Sequence, residues 1–197
     1  MEGKQGEKAI HTLILRSLKQ AKYSPDCSGH FGLAAKFYCH FTSPIRRYPD
    51  LQIHRIIKEY VNGGINSRRQ DKLKDVVFKA SEQSSEMERK AEVAERDIDK
   101  YYKCIYMEDK IGEEFTGIIS GVTGYGFYVE LPDTVEGLVP ISSLTQDSYI
   151  YDENKHELIG QGYGKEMHIV SFKIGDEVKV RLDNVNAEAR EITFNLI

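Results

Sequence analysis

The hydrophobic period of this chain changes once, near Ile111, and that change decides what it can fold into. Before it, apolar residues recur at helical spacing. Leu51, Ile53, Ile56, Ile57, Tyr60 and Val61 form one stripe, Leu73, Val76, Val77 and Ala80 a second, and Met87, Ala91, Ala94, Ile98, Tyr101, Tyr102 and Ile105 a third. After it, short alternating runs follow one another at Phe115–Val122, Gly126–Leu131, Gly137–Ile141, Val178–Val185 and Glu191–Leu196. Gly124-Tyr125-Gly126 and Pro132-Asp133 punctuate the first of them. Helix side chains repeat about every 3.6 residues and strand side chains on every second residue, so neither half can take the other's geometry and keep its apolar face dry. The expected fold is α+β: a mainly helical part over residues 1–109, then a five-stranded antiparallel barrel of the OB type over 110–197.

Charge divides at the same place. Residues 1–110 hold 21 Lys and Arg against 16 Asp and Glu, a net of +5, whereas residues 111–197 hold 6 against 15, a net of −9. The first part can lie along a polyanion. The second can hold nucleic acid only by stacking and a few local cations. No apolar run approaches the roughly 20 residues of a membrane span, and MEGKQGEKAI lacks the apolar core of a signal peptide. Cys27, Cys39 and Cys104 are odd in number and without metal-ligand spacing. A reduced, cytoplasmic protein with no membrane partner is the expectation.

One stretch stands out chemically, HFTSPIRRYPDLQIHR at residues 40–55. Pro44 and Pro49 fix their own φ and restrain the residues before them, so Ser43–Tyr48 should form a rigid turn leading into a helix from Pro49. Asn62-Gly63-Gly64 supplies its stop. Arg46 and Arg47 then sit beside a helix N-terminus, where free N–H groups and guanidinium forks together suit a phosphodiester. The alternative is that these arginines are solvated or paired with Asp50. Elsewhere, residues 7–22 read as an amphipathic helix and residues 27–41 as one short strand, Phe37, Cys39 and Phe41 alternating. His30 and His40 are expected to be buried and hydrogen-bonded rather than metal ligands. Ser85-Glu86-Met87-Glu88 fits a capping box, so the long helical segment 69–107 should break near 83–86. Residues 145–171 look like an insertion in the barrel. Its expected hairpin arms are Tyr149–Tyr151 and Glu157–Ile159, followed by a connection made mobile by Gly160, Gly162 and Gly164.

GHFGLA (29–34), TSPIRRYPDL (42–51), HR (54–55) and AERD (94–97), in that order, resemble the C-terminal part of the catalytic (RNB) domain of the ribonuclease II/ribonuclease R family, nearest its bacterial ribonuclease R branch. GEEFTGIISGVTGYGFYVEL (112–131) and EGLVPISSL (136–144) resemble the S1 RNA-binding domain that follows it in those enzymes. The resemblance implies a processive 3′→5′ exoribonuclease that acts on single-stranded 3′ ends and releases nucleoside 5′-monophosphates. It implies Mg²⁺ held by aspartates earlier in the catalytic domain, which are not found here, so the chain is expected to be a C-terminal fragment, inactive alone. It further implies that Arg46 grips the scissile phosphate, with Arg47 beside it and Glu95 near the same channel. Tyr125 and Tyr128 match the RNA-facing aromatics of the S1 pattern, with Phe127 and Val129 pointing inward, and Arg190 matches a basic position in the last hairpin. Pro140 and Asn186 depart from that pattern, standing where a histidine and an aspartate are common. A non-catalytic RNA-binding or interaction module is the competing expectation. Apolar faces left open on the helices are expected to drive non-specific self-association.

Overall fold

A computed structural model describes residues 14, 15, 17–162 and 170–197. Two compact units emerge, one comprising Gln20–Glu95 and the other containing Arg96–Ile197. Half of the helix expected over 7–22 lies outside the described residues; Ile14, Leu15 and Ser17 are helical, and residues 19–22 carry no regular structure.

In the first unit the expected strand within 27–41 is absent. A single turn of 3₁₀ helix, Phe31–Leu33, and an isolated bridge between His30 and Ala35 stand in its place. The cause is local: His30 Nδ1 accepts from Leu33 N–H at 3.2 Å, which curls the chain back before any partner strand can pair with it. His30 and His40 are half-buried and hydrogen-bonded, His40 through Nδ1 to the Tyr23 hydroxyl at 2.9 Å.

Helix α1, Tyr48–Gly63, begins with Pro49 in its first turn and stops at Gly64, whose φ of 75° no β-carbon-bearing residue adopts easily. Helix α2, Ser67–Glu108, runs 42 residues without interruption. The break expected at 83–86 does not occur, because Ser85 is spent differently. Its Oγ donates to Ser81 O at 2.8 Å and accepts from Tyr23 N–H at 2.9 Å, so it serves as a mid-helix hydroxyl rather than a cap.

The second unit is a closed barrel of β1 (Glu114–Thr123), β2 (Gly126–Glu130), β3 (Glu136–Pro140), β7 (Glu177–Asn186) and β8 (Glu191–Leu196), ordered β1-β2-β3-β8-β7. Four pairings are antiparallel, and the closing pair β3–β8 is parallel. A register shift between Ile119 and Gly121 bends β1, which pairs with β7 through its first half and with β2 through its second. Ile119, Phe127, Val129, Val139, Val180 and Phe194 are wholly buried inside, as the alternation requires. Cys104 and Met107, from the last turns of α2, join that core.

The insertion is more than a hairpin. Strands β4 (Tyr149–Asp152) and β5 (Glu157–Gly160) pair as expected, and β6 (Ser171–Lys173) adds a third strand beside β5. Leu158 and Phe172 are buried in the barrel core, and Phe172 stacks on Phe127 with ring centroids 4.8 Å apart. Gly160 is not a hinge: it is buried in β5, where an added β-carbon would lie 2.5 Å from Asp147 Oδ2. Residues 163–169, which include Gly164, lie outside the described residues.

The turn before α1 is fastened by one carboxylate. Asp50, fully buried, accepts at Oδ2 from Ser43 N–H and from Arg47 Nη2, both at 2.8 Å. Ser43 O in turn accepts from the N–H groups of Arg46 and Arg47 at 3.2 and 3.0 Å. Burial alone would raise the Asp50 carboxyl, but the Ser43 amide and then the Arg47 guanidinium outweigh it and hold the group below the usual range. A depressed native pKa contributes stability above the unfolded value of about 3.9, and that stability is lost as pH falls through the native value. Asp50→Asn is therefore expected to lose Ser43 amide-exchange protection at neutral pH, and the wild-type turn to lose it only in strong acid. Separately, Phe172→Ala should destabilise the barrel by about 3–5 kcal/mol in denaturant unfolding, because it empties a site stacked on Phe127.

Candidate nucleic-acid interface

The turn 43–47 separates its two arginines. Arg47 is turned inward, its guanidinium bonded to Asp50, so the pairing weighed as the plain alternative holds for this residue. Its Nε is buried without a partner among the described residues, as is Asp50 Oδ1. Arg46 is exposed, beside Ile45, which is exposed in full. Arg47 occupies the cap position of α1 with no side-chain cap bond, so free N–H groups open next to Arg46. The helix is held from behind by His54, whose Nε2 bonds Phe41 O at 2.8 Å while its ring stacks on Phe41 at 4.3 Å. The result is one exposed cation on a hydrogen-bonded mount at a helix N-terminus, a geometry suited to an anionic oxygen.

Glu95 stands exposed on α2, apart from every ion pair found among the described residues. Nor do the described residues gather three or more His, Cys, Asp or Glu into a metal-binding group. With one Asp50 oxygen committed to two donors and Glu95 isolated, these two carboxylates do not fit a divalent metal.

On the barrel, the β1–β2 turn and strand β2 bring Tyr125 and Tyr128 together. Their hydroxyls share a hydrogen bond at 3.0 Å and their rings meet edge to face, centroids 6.4 Å apart. Tyr125 is 55% exposed and Tyr128 half-buried, whereas Phe127 and Val129 between and beyond them face the core. The bond to Tyr125, then burial, pushes the Tyr128 phenol up to about 12, so it stays neutral at any working pH. Glu136 and Glu191 act on the same phenol, which makes this face aromatic and acidic rather than cationic. Arg190 adopts the left-handed region, φ 59°, and pairs with Asp97 at 2.9 Å. Sequence reading named Arg190 and missed Asp97. An acid two residues from Glu95 on a charged helix gives no sign that it will meet the barrel.

No helix of the described residues is long and apolar enough to cross a membrane. A model of the RNB domain matches residues 1–63, and a model of the S1 RNA binding domain matches residues 108–197. Ribonuclease R 1 of Lactococcus lactis is 43% identical over 197 residues, covering 100% of this chain and 24% of that protein. Ribonuclease R of Aquifex aeolicus is 45% identical over 197 residues, covering 100% of this chain and 27% of that protein. The structure of Mycoplasma genitalium RNase R in complex with ribose methylated single-stranded RNA superposes with a TM-score of 0.88 at 28% identity, covering 100% of this chain and 30% of that one. The chain thus spans about a quarter of the length of the curated relatives it matches. Its order of parts, the end of an RNB domain followed by an S1 barrel, places it in the ribonuclease II/ribonuclease R family.

Proposed function

We propose that this chain is the C-terminal part of a 3′→5′ exoribonuclease that hydrolyses single-stranded RNA to nucleoside 5′-monophosphates in the cytoplasm. Residues 1–109 would contribute to the catalytic domain, and residues 110–197 would bind RNA. The observation that carries the reading is 43% identity to a ribonuclease R across all 197 residues. The exposed Arg46 at the start of α1 supports it. In phosphodiester hydrolysis, negative charge grows on the oxygens around phosphorus, and a pre-positioned guanidinium stabilises that growth without reorganising. Arg46 is the residue proposed for this, with Arg47 holding the turn through Asp50 and Glu95 lying along the RNA path. The cofactor proposed is Mg²⁺, with ligands outside this chain, where it would activate water and screen the leaving oxygen.

On the barrel, Tyr125 and Tyr128 are proposed to stack bases, and Arg190, when released from Asp97, to meet a phosphate. A second reading, a non-catalytic RNA-binding or interaction module, draws on the exposed Phe31, Tyr60 and Val61 of the first unit. The same side chains would drive non-specific self-association.

Three outcomes test these readings. The 197-residue chain with Mg²⁺ should release no mononucleotides from poly(A), whereas a chain extended to include the rest of the catalytic domain should. In that longer chain, Arg46→Ala should lower kcat by about 10²–10³ with a smaller change in KM. Tyr125→Ala should weaken single-stranded RNA binding by the 197-residue chain by about 1–3 kcal/mol, read by fluorescence anisotropy, with a shallow salt dependence. An inactive extended chain that still binds RNA would favour the module.

A further inference from the structure

We propose that Tyr151 and His156, in the β4–β5 hairpin, form a further stacking subsite for single-stranded RNA, continuous with Tyr125 and Tyr128. The proposal rests on the RNA-binding reading of the barrel and extends it to the insertion.

Alternation in β4 puts Tyr149 and Tyr151 on the barrel side and leaves Ile150 outside, 55% exposed. Tyr149 packs on Phe172, with ring centroids 5.5 Å apart. Tyr151 lies against the β1–β2 turn: a β-carbon placed on Gly124 would be 4.0 Å from Tyr151 Cδ1, ordinary van der Waals distance. Gly124 immediately precedes Tyr125, so the two tyrosines flank a single glycine. The Tyr151 hydroxyl meets the Nδ1 of the exposed His156 at 3.0 Å. His156 adopts φ 52°, a left-handed backbone that a residue with a β-carbon holds at some cost. Asp152 Oδ1 accepts from the N–H groups of Asn154 and Lys155 at 2.9 and 3.2 Å, fixing the turn that delivers the imidazole.

Rigidity makes this arrangement usable. The stack of Phe172 on Phe127 ties the insertion to the strand that carries Tyr128, and Asp147 Oδ2 accepts from Gly162 N–H at 2.8 Å at the far end of the hairpin. Rings held in place before binding lose little freedom when a base stacks on them. The chemistry favours bases over phosphates. Asp152, Glu153 and Glu157 share the hairpin with a single lysine, Lys155, so net charge there does not attract a backbone. Tyr151 is half-buried against the core, so the proposed path Tyr128, Tyr125, Tyr151, His156 uses the part of its ring left exposed, and π-faces tolerate any base.

The test uses the 197-residue chain and labelled oligoadenylates of about four and about eight nucleotides, within the span of site sizes for one OB barrel. Tyr151→Ala and His156→Ala should each weaken the longer oligomer, Tyr151→Ala by about five-fold or more, and leave the shorter one within about two-fold. Tyr151→Phe, which keeps the ring, should bind as wild type. His156 is exposed, so His156→Ala reports on the site even where Tyr151→Ala loosens the hairpin. If both alanine variants bind the longer oligomer like wild type while Tyr125→Ala still weakens it, the subsite is overturned and the barrel reading stands. If wild type binds neither oligomer, both fall.

Discussion

Closure of the barrel rests on one contact in which nothing larger than hydrogen fits. Strands β3 and β8 meet through a single parallel register pair, Leu138 opposite Thr193, and Gly137 lies flat against the Phe194 ring at that seam. A β-carbon there would overlap the ring and also press on Ile192. Phe194, fully buried, cannot retreat without opening the core it shares with Phe127 and Val129. Without the seam, β3 and β8 would present raw edges, and a sheet free to flatten would no longer fix the turn bearing Tyr125. Gly126 repeats the device on the other side of β3, lying against Val139 O and Pro140. The display of two tyrosines on the outside thus depends on two missing side chains within.

Adjacent arginines in one turn do opposite things because a buried carboxylate needs a partner. Asp50 is removed from water, and an unpaired charge there would cost several kcal/mol. Arg47 supplies the pair at 2.8 Å and Ser43 N–H the second bond, and the geometry that brings both donors to Asp50 Oδ2 leaves Arg46 outside. A lysine at position 47 would offer a point charge in place of the planar fork that spans this short loop. Arg46 needs no partner of its own for its direction. The mount decides it.

Much of this was legible in the sequence, for identifiable reasons. The five barrel strands followed from alternation broken by glycine, and each lies within a few residues of its expected place. The start and stop of α1 followed from Pro49 and Gly63-Gly64. Local rules failed where a distant contact settled the outcome. Ser85 has the spacing of a cap, yet Tyr23, 62 residues earlier, takes its hydroxyl and α2 continues. Phe37, Cys39 and Phe41 alternate as in a strand, but upstream of them the His30 ring accepts from Leu33 N–H and the chain curls into a 3₁₀ turn. The insertion read as a two-stranded hairpin because a three-residue strand around Phe172 leaves hardly any periodic trace, although that phenylalanine anchors it. In the candidate site, the arginines and tyrosines were visible as residue types. Which arginine faced outward, and that Arg190 meets Asp97, were not.

Charge finally limits what the barrel can contribute. Residues 111–197 carry a net charge of −9, Glu136 and Glu191 act on Tyr128, and Arg190 is already paired. A surface of this kind gains little from counterion release, so its hold on RNA cannot come mainly from phosphates. Stacking survives because a base presents a nearly neutral face, and an acidic rim leaves that term intact while repelling backbone that approaches without an unstacked base. Duplex RNA, whose bases are turned inward, meets the repulsion and forgoes the stacking. On the RNA-binding reading proposed for it, the acidic barrel would discriminate by strandedness through the same residues that weaken its hold on phosphates. On that reading phosphate recognition would fall to the cationic part of the chain, where residues 1–110 carry +5 and Arg46 stands free of any carboxylate among the described residues.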